Sequence, residues 1–330
     1  MSARVEGWMR GSSIAVAVTA LLASGNATAQ LFPSHPITLI VALPAGGAVD
    51  ALGRILAEHM RGTLGEPVVI ENVSGAGGTV GVGRVARAAA DGYTLSIGNW
   101  ASHVGASLAY PVRYELTRDF EPIALLTDVP HWIVARKSLP AGDLAELIAW
   151  LKANPDRTAG TVGAASGSHL CGVYLEHATG IRLQFVPYRG GAPAMQDLLG
   201  GQIDLMCDLA ANSLSMVRSS LIKAYAIMAR TRYFAAPDIP TADEAGLPGI
   251  YVSNWHALWA PKGVPGEIIL RLNAAVMSAL ADPTVRQHIA DLGMEIVPRA
   301  QQTPNALAVF QKAEVEKWSP IIRAAGIKPE

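Results

Sequence analysis

The sequence predicts an α/β protein of two lobes, each a mostly parallel sheet flanked by helices. Three observations lead there. Strand, glycine loop and helix alternate through the first hundred residues, and the same alternation restarts between Thr161 and Cys207. Three apolar-striped helices then close the chain without a sheet of their own, so they need a host that is already built. A chain of 330 residues suggests two domains more readily than one, and with 50% hydrophobic and 16% charged residues it has ample material for a core.

The first unit runs from Ile37 to Asp50. Ile37–Leu43 is a continuous β-favouring run, suited to a strand buried on both faces. Pro44 offers no N–H to a ladder, and Ala45, Gly46 and Gly47 form a small permissive loop that a ligand can approach closely. Asp50 is expected to cap a helix with Leu52, Ile55, Leu56, Met60 and Leu64 on its apolar face. Such a strand, glycine turn and helix start presents spare N–H donors and a partial positive charge to an anion, although an ordinary strand-to-helix connection has the same spacing. Pro67–Glu71 is a second strand, entering Gly75-Ala76-Gly77-Gly78. This loop misses the dinucleotide fingerprint because Val80 occupies its third glycine position, and no Gly-Lys-Ser/Thr is present. Asp91-Gly92-Tyr93 then turns into the strand Thr94–Gly98.

Phe120–Leu126 and Trp132–Ala135 follow as strands, and a helix through Leu144–Leu151 ends near Asn154-Pro155. The second series comprises strand Thr161–Ala164, loop Ser166–His169, helix Leu170–Thr179, strand Leu183–Pro187, loop Tyr188-Arg189-Gly190-Gly191, a helix through Leu198, and strand Ile203–Cys207. Lys223–Met228 and Trp255–Ala260 are further strands, and the last helix spans roughly Thr303–Ala325. The economical arrangement returns the chain to its first lobe. Lobe one is then 31–123 plus 229–330 and lobe two is 124–228, with crossings near Pro122 and Ala229.

Residues 1–29 have the pattern of an export signal: Arg4 and Arg10, ten apolar residues from Ile14 to Ala23, and the small-x-small site Ala27-Thr28-Ala29. Export from the cytoplasm is expected, with Gln30 as the first mature residue. Cleavage there removes two of the 26 basic and one of the 27 acidic residues, leaving a net charge of −2. With no basic block and no aromatic–basic alternation, a nucleic-acid partner is not expected.

The side chains offer several chemistries. Ser166, Ser168 and His169 lie together, with Asp204 and Asp208 further on. A hydrolase using Ser168 and His169 is the alternative function, but Gly163-Ala164-Ala165-Ser166-Gly167 does not fit the Gly-x-Ser-x-Gly elbow. No enzyme activity, metal or cofactor is therefore expected. Asp208 either meets a ligand donor or caps the following helix. Arg189 could pair with a carboxylate or be a surface arginine. Trp255 and Trp259 are expected in the core. Cys171 and Cys207, exported, could form a disulfide, although two small buried thiols are narrowly preferred.

A run of motifs covers nearly all of the chain after residue 30. It comprises Phe32-Pro33-Ser34-His35-Pro36-Ile37, Pro44-Ala45-Gly46-Gly47 with Asp50, Glu71-Asn72, Gly75-Ala76-Gly77-Gly78 and Asp91-Gly92-Tyr93-Thr94-Leu95. Asp119-Phe120-x-Pro122-Ile123, Gly167-Ser168-His169-Leu170, Tyr188-Arg189-Gly190, Gly201-Gln202-Ile203-Asp204 and Ala260-Pro261-x-Gly263-x-Pro265 continue it. In these the chain resembles the Bug-type extracytoplasmic solute receptors, the substrate-binding components of tripartite tricarboxylate transporters. The resemblance implies a monomeric, two-lobed periplasmic-binding-protein fold, type II-like, that closes an interlobe cleft on a small carboxylate. A di- or tricarboxylate, an amino acid or an aromatic carboxylate would each qualify. It further implies membrane subunits as partners, unless the receptor is an orphan. The ligand-binding residues it suggests are Pro44, Ala45, Gly46, Gly47, Asp50, Gly75, Ala76 and Gly77 from lobe one. Those from lobe two are Ser166, Gly167, Ser168, His169, Tyr188, Arg189, Gly190 and Asp208. Leu43, Val49 and Val73-Ser74 depart from the family pattern, which alters side-chain recognition while leaving backbone anchoring possible.

Overall fold

The computed structural model describes residues 32–163 and 166–324, so the export segment lies outside the described residues. The first strands and helices follow the expected rhythm: β1 (Ile37–Val41), α1 (Ala48–Leu64), β2 (Val68–Asn72), α2 (Thr79–Val85) and β3 (Thr94–Asn99). A π-helical turn, Ala101–Gly105, leads into the short α3 (Ala106–Ala109). Next come β4 (Phe120–Asp128), β5 (His131–Arg136), α4 (Leu144–Ala153), β6 (Arg157–Thr161), α5 (Gly167–Thr179), β7 (Leu183–Pro187) and α6 (Gly191–Leu199). The chain finishes through β8 (Leu205–Leu209), α7 (Ala210–Arg218), β9 (Ile222–Ile227), β10 (His256–Pro261), α8 (Gly266–Ala281), α9 (Pro283–Asp291), β11 (Glu295–Ile296) and α10 (Pro304–Ala324). The strand expected over Thr161–Ala164 is displaced to Arg157–Thr161. Its polar start is accommodated because Asp204 accepts from the Thr158 amide and hydroxyl, each at 3.2 Å.

Two sheets form. One has the order β11-β4-β10-β3-β1-β2 and the other β7-β6-β8-β5-β9. β1 pairs in parallel with β2 and β3, and β6 in parallel with β7 and β8. β10 is antiparallel to both neighbours, and β5 is antiparallel to β8 and β9. The sheets are therefore mixed. Most strands share a direction, but the returning β10 and the incoming β5 each reverse the pairing at mid-sheet. Period-two alternation sorts the side chains of the second sheet: Ile133, Ala135, Leu205 and Cys207 enter one core, while Trp132, Val134 and Met206 enter another with Tyr233.

Sheet membership moves both crossings. Pro122 lies inside β4, whose apolar run continues to Leu126 against β10, so the chain leaves the first sheet only at Val129–Pro130. Residues beyond Ala229 stay with the second sheet: Tyr233, Ala235, Ala236 and Ile239 pack on its core, and Ile227 bridges Thr241. The return comes at Ser253–Asn254. There Asn254 donates to the Val129 carbonyl and His131 to the Val252 carbonyl, each at 2.9 Å, so the two crossing segments lie side by side.

The terminal helices find their host in the first sheet. α8 packs on α1 and β4, and α10 on β4. Trp259 and Trp255, both buried, donate their indole N–H groups to Gln311 (2.7 Å) and Glu314 (3.1 Å) of α10, which makes them core residues with satisfied polar handles. Cys171 and Cys207 are joined in a disulfide, with Cα atoms 6.0 Å apart, against the preference for two thiols. The reason is geometric: α5 starts at Gly167 and lies over β8, which brings Cys171 above the face to which Cys207 points. No single helix among the described residues is long and apolar enough to cross a membrane.

Candidate ligand-binding site

The Pro44–Gly47 loop leaves the carboxyl end of β1 and is exposed, whereas Val49 and Asp50 are buried beneath it. Asp50 does not cap the helix. Gly47 is the N-cap residue, and the first helical bond, Ala51 N–H to Gly47 O, is 2.9 Å. Asp50 lies one turn into α1 and ties the loop down from below. Its carboxylate accepts from Gly46 N–H (2.9 Å), from Nε and a terminal nitrogen of Arg54 (3.0 Å each) and from Asn72 Nδ2 (3.0 Å). Asn72 also donates to the Leu43 carbonyl at 3.2 Å, which fastens the loop's other end to β2. The Gly46 amide is thus turned inward and occupied. The donors left for an anion are the amides of the first turn, Gly47 to Val49, which have no intrahelical acceptor.

The hydrogen bonds from Arg54 hold the Asp50 carboxyl down at about 2 against the opposing effect of burial. A depressed carboxylate contributes stability above its unfolded value of 3.8 and loses it as pH falls towards 2. Asp50→Asn should therefore cost about 1–2 kcal/mol at neutral pH, allowing for the exposed position of Arg54. The difference between variant and wild type should shrink between pH 4 and pH 2. Urea midpoints of the two proteins across that range check it, and a constant difference would contradict the assignment.

A cavity of about 490 Å³ opens over this loop. Its walls are Leu43–Asp50, Asn99 at the end of β3, Val129 and Asn254 on the crossing segments, and His256 at the start of β10. Leu209, Ala211 and Asn212 complete it from the β8–α7 junction, with Leu292 and Met294 from the end of α9 and the start of β11. β8 is parallel to β6, so the cavity joins the carboxyl edges of the two sheets. Asp50 is the one charged side chain among these residues, and it is fully engaged.

Pro44, Ala45, Gly46, Gly47 and Asp50 are thus brought to the cavity, and the other expected residues are not among its lining. Gly75, Ala76 and Gly77 follow β2 at the same sheet edge but lie against Val80, Tyr110 and Ala106; a Cβ on Gly77 would come within 3.1 Å of the Tyr110 ring. Ser166 caps α5, accepting from His169 N–H at 3.2 Å, and Gly167 is the first residue of that helix, above the His131 ring. The Ser168 hydroxyl accepts from Val162 N–H and shares a 2.9 Å bond with Ser166. The His169 ring instead meets Phe185 edge-on at 4.7 Å, and no hydrogen bond between its ring and Ser168 occurs among the described residues. This is the arrangement of a helix cap rather than an activated nucleophile. The Tyr188 hydroxyl donates to Asp197 at 2.6 Å, Arg189 is exposed, and Gly190 is the N-cap of α6. Asp208 is buried outside the cavity lining and does not cap α7 either: the N-cap there is Leu209, with no side-chain capping bond, and the Asp208 carboxylate instead accepts from the Asn212 side chain at 3.3 Å.

Sequence reasoning missed Asn99, Asn212, Asn254, His256 and Met294. His256 is buried, and its Nδ1 lies 3.0 Å from the Thr127 hydroxyl, which also donates to the Met294 sulfur at 3.6 Å. Desolvation pushes its pKa down to about 4, so the ring is neutral at pH 7.

Two sheets bridged by paired crossing segments, with a cavity between their carboxyl edges, define a two-lobed solute-binding protein. The chain belongs to the tripartite tricarboxylate transporter family receptors, whose model matches residues 52–327. Among solved structures, it is 40% identical to the periplasmic binding protein BugD, covering 91% of this chain and 100% of that one with a TM-score of 0.72. It is 38% identical to MatC from Rhodopseudomonas palustris with bound malate, covering 88% and 100% of the two chains with a TM-score of 0.73. A further R. palustris protein, with adipate, is 30% identical over 91% of this chain and 100% of its own, with a TM-score of 0.74.

Proposed function

We propose that this protein captures a small carboxylate in the cavity between its lobes, without chemistry, and hands it to the membrane subunits of a tripartite transporter. The observation that carries this is the first turn of α1. Its spare amides open on a cavity that presents no Lys or Arg among the described residues, so neutral dipoles hold the anion. Such a site leaves no uncompensated buried cation when empty, which suits reversible binding. The malate and adipate held by two relatives agree in size and charge with such a cavity. Lobe one comprises the first sheet with its helices and lobe two the second. The chain is exported by cleavage after Ala29 and works in the periplasm.

Titration calorimetry against malate, succinate, adipate, lactate and benzoate tests this. At least one should bind saturably at one site per chain. At a hundred times its dissociation constant it should add about 2.7 kcal/mol to stability. Failure of every carboxylate to bind or stabilise would overturn the proposal.

A further inference from the structure

The wall of the cavity holds a hydrogen-bond relay that runs from His256 through Thr127 to Met294. Met294 has a thioether sulfur, which carries no hydrogen and can only accept. The Thr127 hydroxyl, 3.6 Å away, has a single hydrogen and gives it to that sulfur. With that hydrogen on the sulfur, the Thr127 oxygen is free to accept from its other neighbour, Nδ1 of His256 at 3.0 Å, in the tautomer protonated at Nδ1. A neutral imidazole has only one N–H. The remaining nitrogen, Nε2, is therefore a bare lone pair on a ring that is 2% exposed and lines the cavity. Burial holds the ring neutral, so it cannot become a second donor at neutral pH.

We propose that His256 reads a hydroxyl on the ligand: Nε2 accepts a hydrogen bond from the alcohol group of a small hydroxycarboxylate whose carboxylate sits at the first turn of α1. A ligand without a donor would leave the Nε2 lone pair unpaired in a desolvated site, and such groups are costly. An ammonium could also donate. It would, however, enter a cavity whose one acidic side chain, Asp50, already accepts from Gly46, Arg54 and Asn72, so its charge would go uncompensated. The alcohol satisfies the lone pair without that penalty. Thr127 is a positioning residue, because it selects the tautomer without touching the ligand.

The inference rests on the proposed carboxylate receptor, and matched ligands separate the two. Affinities are measured by calorimetry for lactate, propionate and alanine, for malate, succinate and aspartate, and for mandelate and phenylacetate. Within whichever series binds, the hydroxy acid should bind at least tenfold more tightly than its deoxy analogue and its amino analogue. In His256→Phe, which keeps a ring in place, that ratio should fall to near one. Thr127→Val should lower it as well, and Thr127→Ser should restore it. Nitrogen NMR of the ligand-free wild type gives a readout independent of any variant, with Nδ1 protonated and Nε2 bare. Equal binding of hydroxy and deoxy acids by the wild type would overturn the hydroxyl reader and leave the receptor standing. The same holds for a ratio that survives His256→Phe, or for a ring protonated at Nε2. Binding of no member of any series would overturn the receptor itself.

Discussion

Gly46→Val is expected to abolish carboxylate binding, with a loss of at least a hundredfold by calorimetry, while the circular dichroism spectrum stays that of the wild type. Gly46 has φ +83°, a conformation that a β-branched residue adopts only under strain. Space is not the obstacle, since a Cβ there would meet nothing within 4 Å. The strain acts through the backbone. Relieving it rotates the Gly46 amide away from the Asp50 carboxylate, and that bond holds the loop against α1. Gly47→Ala is the control: its Cβ would be 3.6 Å from the Pro44 carbonyl, an ordinary contact, so most affinity should survive. If Gly46→Val bound as tightly as wild type, the Pro44–Gly47 loop would not be the anion site.

The second large effect concerns the disulfide. Cys171 and Cys207 are 36 residues apart, and a closed loop of that size restricts the unfolded chain by about 4 kcal/mol in the entropic account. Breaking the bond in Cys171→Ser/Cys207→Ser should lower the melting temperature by roughly 15 °C if the second sheet and its helices melt as a unit. Both cysteines are buried, so reduction should be slow until the protein is partly unfolded. Differential scanning calorimetry of the double variant and of oxidised wild type decides the matter. Coincident melting curves would show that the crosslink adds nothing.

The rhythm of the fold was visible in the sequence because strands buried on both faces leave continuous apolar runs, and glycine loops separate them from helices. β1, β3, α4 and β7 lie within a residue or two of their expected limits. The crossings were less visible. Nothing local distinguishes Leu125 and Leu126, which remain in the first sheet, from Trp132 and Ile133, which belong to the second; only the partner β10 makes that difference. Part of the candidate site's lining was legible for a related reason. The Pro44–Gly47 loop announces itself by composition, whereas Asn254 and His256 become neighbours of that loop only when β10 inserts beside β3. Asp50 was placed near the right spot with the wrong job. Its spacing of four from Arg54 on a helical face was the available clue that it makes an ion pair from within the helix. The serines at 166 and 168 read as ligand groups because a hydroxyl at a helix start serves a cap and a site equally well, and here the cap takes them.

The central position of β10 fixes an order of events. β10 separates β3 from β4, and its residues, His256–Pro261, leave the ribosome only after most of the chain has been made. Until then β3 and β4 have no common partner, and the hydrophobic faces that α8 and α10 cover stay open. The second sheet has no such wait, because all five of its strands lie between His131 and Ile227. Assembly is therefore expected to proceed from the middle of the chain outwards, with the first sheet completed last.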